Sequence, residues 1–297
     1  MAQIKNINLI GNGYWGSNIN RTLIEMGIDV NVIDPAFGNN RLNVKHPIVI
    51  ATPTNTHYDI ALELINQGCN VLIEKPVATT ADQIMKLKYI KKPTQVVMAG
   101  HLYLYNPMFE QFKNIIKELG KPKLIHFVRN NFGRYQTDVD VLHNIAFHDF
   151  SMLHNMFQTI NVTASEGFKL SNETNIDRAI VIGTADTAKF QIEASWLDAK
   201  RERTVTFYGE HGQATWDSDA DTIKVTRFTI VPFEKTTKLA ASGSSNPLRE
   251  ELCHFLDCIE EKCQPNTTLS DAVQIELLIN RAITMRNQTY RNQHNID

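Results

Sequence analysis

The chain has 297 residues, a formal net charge of -2 and 42% hydrophobic and 21% charged residues, the composition of a soluble globular protein. This length is natural for two domains, and the charge balance offers no basic excess for a nucleic-acid backbone. No apolar run approaches the roughly 20 residues of a membrane span, and the N-terminus begins with a strand pattern instead of a signal peptide. We therefore expect a cytoplasmic protein that binds neither nucleic acid nor membrane.

The four cysteines do not form a metal motif. Cys69 is isolated, and Cys253, Cys258 and Cys263 recur at five-residue steps along a predicted helix. Zinc ligands are spaced differently. We expect thiols in a reducing compartment and no metal site.

A glycine-rich loop follows the first predicted strand, Ile4–Ile10, and leads into a helical pattern that stops at Gly27. This is G-x-G-x-x-G between a strand and a helix, the context typical of a dinucleotide site. The first glycine permits the turn, the second lets the backbone approach a pyrophosphate, and the third lets helix and strand pack closely. The predicted cofactor loop is Gly11, Asn12, Gly13, Tyr14, Trp15 and Gly16.

Asp34 ends the second predicted strand, residues 28–33. An acid about twenty positions after the glycines holds the ribose 2'-hydroxyl and repels a 2'-phosphate, so NAD is favoured over NADP. The link from Pro35 to His46 is short for a crossover containing a helix, and we expect it to be irregular.

Three more strands are predicted over residues 46–50, 69–73 and 95–99, with helices between them. Alternating strands and helices indicate a doubly wound parallel sheet, in which ligands lie at the carboxyl ends of strands. The apolar run before Glu74-Lys75-Pro76 predicts a buried strand that delivers Lys75 to that edge. Further predicted cofactor contacts are Ala51, Thr52, Pro53, Thr54, His57, Glu74, Lys75 and Pro76.

The pattern changes after a helix from Pro107 to about Leu119. Strands at 123–129, 179–183, 188–196, 203–208, 213–216 and 222–230, with a hairpin at 209–212, indicate a mostly antiparallel open sheet. We expect a Rossmann NAD-binding domain over 1–119 and an α+β domain over 120–297. The closing helices, 248–261 and 270–287, can pack back on the first domain.

A predicted helix over 141–157 carries the second chemical cluster. Asn144 and His148 are four residues apart and share one face of an α-helix. A single helical histidine is often structural, and this alternative stays open. A zinc site of His143, His148 and His154 is disfavoured, because residues 143 and 148 point apart at α-helical spacing.

Several motifs together resemble the glucose-fructose oxidoreductase/inositol dehydrogenase/MocA family over the whole chain. They are G-x-G-Y-W-G, A-T-P-x-x-x-H, V-L-I-E-K-P, G-H-L-Y-L-Y-N-P, N-F-G-R-Y and H-N-I-A-F-H-D. The loop Tyr14-Trp15, the segment Leu104 to Pro107 and the stretch Gly133 to Tyr135 are most similar to members that act on nucleotide-linked sugars, such as UDP-N-acetylglucosamine 3-dehydrogenases.

The resemblance implies catalytic roles for Lys75 and His148. A desolvated lysine beside the cofactor orients or deprotonates a sugar hydroxyl while His148 relays the proton. The family's aspartate four residues before that histidine is Asn144 here. Since asparagine removes a negative charge that would raise the pKa of both groups, we expect activity at less alkaline pH than in an Asn144→Asp variant.

The resemblance also implies substrate contacts at Tyr105, Asn106, Arg134 and Tyr135, with Arg134 meeting an anionic group. It implies a homodimer or homotetramer formed through the second sheet. The expected activity is NAD-dependent oxidation at C3 of a nucleotide-activated sugar or sugar acid. A 3-keto sugar-nucleotide reductase and a non-catalytic cofactor-binding regulator remain as alternatives.

Overall fold

The structure, a computed structural model, describes residues 4–34, 41–133, 140–169, 176–229, 234–244 and 246–294, the last seven of these as backbone alone. Backbone contacts divide the chain into two compact units, residues 1–105 with 246–276 and residues 106–245 with 277–297. The division follows Tyr105 and not residue 119, because Phe109 and Phe112 pack on Trp216 of the second unit's sheet. Residues 246–276 return to the first unit.

The first unit is built on a five-stranded parallel sheet in the order β2-β1-β3-β4-β5. The predicted doubly wound parallel sheet is confirmed. Its strands are short, and the three on one side, residues 48–50, 71–73 and 97–99, are wholly apolar and buried, as strands covered on both faces are. They are β1 Asn6–Ile10, β2 Asp29–Ile33, β3 Ile48–Ile50, β4 Val71–Ile73 and β5 Val97–Ala99.

Helices cover both faces of this sheet, since side chains of β1, β3, β4 and β5 enter two separate apolar clusters. Ile73 of β4 packs in the cluster with α2 and α3, whereas Leu72 packs in the cluster with α1 and α6. The helices are α1 Tyr14–Glu25, α2 Thr54–Asn66, α3 Ala81–Ile90 and α6 Pro247–Glu261, and a 3-10 turn spans Leu102–Tyr105.

The second unit is built on an eight-stranded sheet in the order β13-β12-β11-β10-β6-β9-β8-β7. All neighbouring strands are antiparallel except β6 and β9, so the predicted mostly antiparallel sheet is confirmed. The strands are β6 Pro122–Phe132, β7 Ile160–Phe168, β8 Arg178–Ala185, β9 Ala188–Ser195, β10 Leu197–Gly209, β11 Gly212–Asp217, β12 Thr222–Thr229 and β13 Glu234–Ser242.

Two edge strands, β7 and β13, were not predicted from the sequence. The end of β13, residues 240–242, lies in a Ser/Gly-rich stretch, a composition typical of linkers. Nearly all of its residues are exposed, and an edge strand can be held by backbone hydrogen bonds to its one neighbour without an apolar face.

The remaining helices are α4 Pro107–Ile116, α5 Phe147–Met156 and α7 Leu269–His294. Residues Leu142–Ala146 before α5 form a π-helical turn, so the prediction of one regular helix over 141–157 is wrong. Among the described residues, no helix combines the length and apolar character needed to cross a membrane.

Candidate functional site

The glycine loop is closed on both sides by backbone contacts. Gly11 has φ +90°, and a Cβ built there would lie 2.7 Å from the carbonyl oxygen of Ala51. A Cβ on Gly16 would collide with the carbonyl oxygen of Gly11. A Cβ on Gly13, in contrast, would meet nothing within 4 Å. The loop is therefore tight except above Gly13, where the predicted ligand would approach.

The start of α1 suits the diphosphate of a dinucleotide. No side chain caps this helix, and its first turn contains no acid, so the positive end of the helix dipole meets no competing carboxylate in that turn. The predicted ribose ligand, Asp34, accepts a hydrogen bond through Oδ2 from the backbone N–H of Asn12 at 2.7 Å. The same carboxylate thus fixes the loop beside the place where a ribose would lie.

His57 joins the ends of β3 and β4. Its Nδ1 lies 2.8 Å from the carbonyl oxygen of Pro76, and its Nε2 lies 2.8 Å from that of Thr52. Burial lowers the pKa of His57, while the two carbonyl oxygens oppose this shift. A neutral ring donates through only one nitrogen. The contacts place the Thr52-Pro53 loop beside the cis peptide between Lys75 and Pro76.

Glu74 links the lysine to the glycine loop. The residue is 6% exposed, and its carboxyl accepts hydrogen bonds from the Trp15 indole N–H at 2.5 Å and the Lys75 backbone N–H at 3.2 Å. Burial raises the pKa of Glu74, and the Trp15 hydrogen bond opposes that rise. Lys75 itself is half-buried at the carboxyl end of β4. The structure thus brings the loop and the Glu-Lys-Pro motif together through a Trp15 contact that no sequence motif indicates.

Two predicted substrate residues have other partners. The Tyr105 hydroxyl donates to Thr267 Oγ1 at 2.7 Å, because Thr267 in turn donates to the Ala99 carbonyl oxygen. Asn106 is buried and accepts the Met108 N–H at 2.8 Å as N-cap of α4. A substrate contact through either group would compete with these bonds. Arg134 and Tyr135 lie outside the described residues.

The second cluster has an unexpected backbone. Asn144 lies within the π-helical turn and His148 within α5. A π-turn bonds residues five apart instead of four, so a four-residue spacing no longer proves a shared face. Both side chains are half-buried, and the His148 ring packs edge-on against Phe147 with centroids 6.2 Å apart.

Two ionic contacts hold this segment, and neither was predicted. Arg129 of β6 binds Asp149, the residue that follows His148 in α5. It does so through two nitrogens, with Nη2 to Oδ1 at 2.9 Å. Asp140 accepts from Arg286 at 3.0 Å and lies 3.6 Å from His143 Nδ1. The available signal was Asp149 between the apolar Phe147 and Phe150, but its partner could not be identified without the sheet register.

Among the described residues, no group of three or more His, Cys, Asp or Glu side chains is arranged to hold a metal ion. A pocket of about 420 Å³ lies elsewhere in the second unit, between α4 and strands β12 and β13, and Arg227 and Lys238 line it. None of the predicted site residues contributes to that pocket. It therefore does not mark the expected chemistry.

Known proteins resemble the chain in sequence and in fold. The sequence model for GFO_IDH_MocA, "Oxidoreductase family, NAD-binding Rossmann fold", matches residues 42–101. Inositol 2-dehydrogenase 1 of Saccharopolyspora erythraea is 31% identical over 88 residues, which is 28% of this chain and only 26% of that relative. UDP-N-acetylglucosamine 3-dehydrogenase of Acidithiobacillus ferrooxidans is 24% identical over 152 residues, 50% of this chain and 44% of that protein.

The solved structure of that enzyme, GnnA from Acidithiobacillus ferrooxidans, has the same fold. It covers 95% of this chain and 96% of its own with a TM-score of 0.81, at 17% sequence identity. The glycine loop and the Lys75 edge share one parallel sheet, and the second, mostly antiparallel sheet completes the architecture. Residues 42–101 thus match the GFO_IDH_MocA oxidoreductase family in sequence, and nearly the whole chain shares the fold of GnnA.

Proposed function

We propose that this chain is an NAD-dependent oxidoreductase that transfers a hydride between the C3 hydroxyl of a nucleotide-activated sugar or sugar acid and nicotinamide. The observation that carries the proposal is the Trp15–Glu74 hydrogen bond, which ties the glycine loop to the strand end bearing Lys75. The UDP-N-acetylglucosamine 3-dehydrogenase relative supports the substrate class.

We favour NAD over NADP because of Asp34. Its carboxylate holds the Asn12 backbone N–H, and its charge would repel a 2'-phosphate at that place. The Gly11 to Gly16 loop and the start of α1 would bind the diphosphate, and the Ala51 to Thr54 loop with His57 would line the same strand edge.

The reaction needs a proton acceptor beside the hydroxyl. Bound NAD supplies the hydride acceptor. In our proposal Lys75 orients the sugar hydroxyl and takes its proton, and His148 takes or relays that proton. Asn144 contributes hydrogen bonding at the position where the resemblance implies an aspartate. Arg134 and Tyr135 would meet the nucleotide or an anionic sugar group, with Tyr105 and Asn106 nearby along the chain.

The first test follows nicotinamide absorbance with purified protein, NAD and a panel of UDP- and TDP-linked hexoses, hexosamines and uronates. Reduction of NAD by one panel member supports the proposal and names the substrate class. We expect Lys75→Ala to lower kcat/KM by about 10²-fold or more, as loss of a general base does. Lys88→Ala, an exposed lysine of α3, is the matched control and is expected to keep full activity.

Other outcomes separate the alternatives. Oxidation of NADH by a 3-keto sugar nucleotide, with no reduction of NAD by the panel, would replace the dehydrogenase with a reductase. Tight NADH binding without turnover in either direction, unaffected by Lys75→Ala, would indicate a non-catalytic binding protein.

We also propose that the chain forms a homodimer or homotetramer through its second sheet. Strand β13 is an edge strand, and Leu239 on it is 60% exposed. Exposed sheet edges of this kind are commonly covered by a partner. Light scattering on the purified protein tests this, and a monomer at micromolar concentration would contradict it. Leu239→Asp is expected to weaken the association, with Lys235→Asp on the same exposed strand as control.

A further inference from the structure

A buried acid of the first unit has no part in the chemistry proposed above. Glu251 lies on α6 and is 1% exposed. Its neighbours on the buried face of that helix are the apolar Leu248, Leu252 and Phe255. An ionised carboxyl in such surroundings is strongly disfavoured unless it is paired.

Glu251 meets Glu74 at the end of β5. The backbone N–H of His101 donates to the Glu251 carboxyl, and the charges of the two carboxyls repel each other. A Cβ built on Gly100, the residue before His101, would lie 3.2 Å from Oε2 of Glu74. Both acids therefore reach the same two-residue strand exit, directly beside the Glu-Lys-Pro motif.

Hydrogen-bond donors are divided unequally between the two acids. Glu74 accepts hydrogen bonds from the Trp15 indole N–H and the Lys75 backbone N–H, and the positive charge of Lys75 stabilises its ionised form. Glu251 accepts the single His101 N–H, and its Oε1 has no hydrogen-bond partner in the described part of the chain. Two adjacent buried carboxyls do not both ionise, and the one with fewer donors keeps a proton.

We infer that Glu251 is a positioning residue that holds a proton against Glu74, so that a single negative charge, on Glu74, remains beside Lys75. Burial and the Glu74 charge raise the pKa of Glu251 well above its usual range, in agreement with the geometry. Glu251 interacts with Glu74 after β4, with the backbone of His101 after β5 and with Tyr105 in the 3-10 turn, and Glu74 in turn interacts with Lys75.

The proton has a consequence for catalysis that rests on the proposed role of Lys75. If Glu251 also ionised, a second buried negative charge would favour the protonated form of Lys75 and would repel Glu74 from its place under Trp15. A smaller fraction of Lys75 would then be the neutral amine that can accept a proton. Activity should therefore fall at the pH where Glu251 loses its proton.

The proton is tested first by infrared spectroscopy of the intact chain, without cofactor or substrate, because a neutral carboxyl and a carboxylate absorb at different frequencies. We expect the wild-type minus Glu251→Gln difference spectrum at pH 7 to show one neutral carboxyl. Glu250→Gln, the exposed neighbour on α6, should instead remove one carboxylate. A carboxylate lost in Glu251→Gln would overturn the inference.

A second variant, Glu74→Gln, tests the inference independently in case Glu251→Gln does not fold. Glu74→Gln removes the neighbouring charge, so the neutral carboxyl band of Glu251 should disappear at lower pH during titration than in the wild type. An unmoved titration would overturn the pairing of the two acids.

The effect on catalysis is read from the pH dependence of kcat/KM. Since glutamine cannot ionise, Glu251→Gln should extend the alkaline limb to higher pH, and Glu251→Asp should restore an alkaline fall. A uniform loss at every pH with an unmoved profile would show only a packing role and would overturn the positioning role. If the wild type turns over no substrate, the proposed function fails, but the infrared test of the proton stands independently.

Discussion

Two buried acids, Asp149 of the second unit and Glu251 of the first, are equally hidden, each 1% exposed, but they meet different partners. Asp149 receives two nitrogens of Arg129, a cation that is itself buried. Glu251 receives one backbone N–H and faces another carboxyl. A buried negative charge can be balanced by a cation or removed by a proton, and these two regions use the two solutions.

The difference separates rigidity from pH response. Burial raises the pKa of Asp149, but the Arg129 charge opposes this rise, so the pair holds α5 to β6 as a fixed contact. Glu74 and Glu251 instead interact with each other, and Lys75 is the cation that acts on Glu74. A carboxyl can exchange its proton with solvent, whereas the charge of an arginine is permanent. Proton exchange suits a region expected to carry out proton transfer.

Breaking the cation-balanced pair should have the largest effect on stability. Arg129→Met leaves Asp149 buried without its cation, and we expect a loss of about 3–5 kcal/mol in the free energy of unfolding. Urea unfolding followed by the fluorescence of Trp196 and Trp216, both buried in the second unit, measures it.

The control for this variant is the exposed pair of the same unit. Arg201 is 60% exposed and binds Asp219 at 2.7 Å, so Arg201→Met should lose only about 0–1 kcal/mol. The double variant Arg129→Met, Asp149→Asn should be more stable than Arg129→Met alone, because no unpaired charge remains. Equal losses for the buried and exposed arginines would contradict the comparison.

Asp140 offers an intermediate case with a smaller expected effect. Burial would raise its pKa, but His143 and Arg286 outweigh this and lower the pKa from 3.8 to about 2. Because the pKa of Asp140 is lower in the folded chain than in the unfolded chain, its charge stabilises the fold at every pH above the unfolded pKa. This stabilisation is lost as the pH falls towards 2. Asp140→Asn should lose about 2 kcal/mol at pH 7 and approach the wild type near pH 2.

Asparagine at 140 can still accept the backbone N–H groups of Leu142 and His143 that Asp140 now accepts, so the variant isolates the charge. Glu166→Gln, an exposed acid of β7, serves as control in the same urea series. A constant difference between Asp140→Asn and wild type from pH 7 to pH 2 would show that the charge has no such role.

Local motifs made the first sheet predictable, and they also define the edge where we expect the ligand. The glycine spacing, Asp34 and the apolar run before Glu74 each depend on residues close together in the sequence, and strand ends of a parallel sheet meet at one edge. The contacts of Glu251 with Glu74 and of Arg129 with Asp149 join segments far apart in the chain. A single sequence shows that these four side chains are titratable, but it does not show which of them lie close together in the fold.

The edges of the second sheet and the turn before α5 were missed for a different reason. Strand β13 carries mostly polar, exposed residues and has no apolar alternation. The π-turn at Leu142–Ala146 has ordinary helix-forming composition, and nothing local distinguishes five-residue from four-residue bonding. In both places backbone hydrogen bonding, and not side-chain pattern, defines the element.

The proton-balanced pair should respond to pH in the direction opposite to Asp140. The raised pKa of Glu251 means that the folded chain keeps a proton that the unfolded chain releases above about pH 4.5. The stabilisation that Glu251 contributes is therefore fully present below about pH 4.5. It is lost as the pH rises through the pKa of Glu251 in the folded chain, by at most about 1.4 kcal/mol per pH unit.

The stability of Glu251→Gln lacks this dependence on pH. The contribution of Glu74 is present in both the variant and the wild type, so it largely cancels in the difference between them. We expect the wild type to lose stability relative to Glu251→Gln as the pH is raised from 5 to 9, with Glu250→Gln parallel to the wild type throughout. Parallel curves for Glu251→Gln and wild type would mean that Glu251 is ionised in the folded chain. The two buried acids would then differ in their partners but not in their charge.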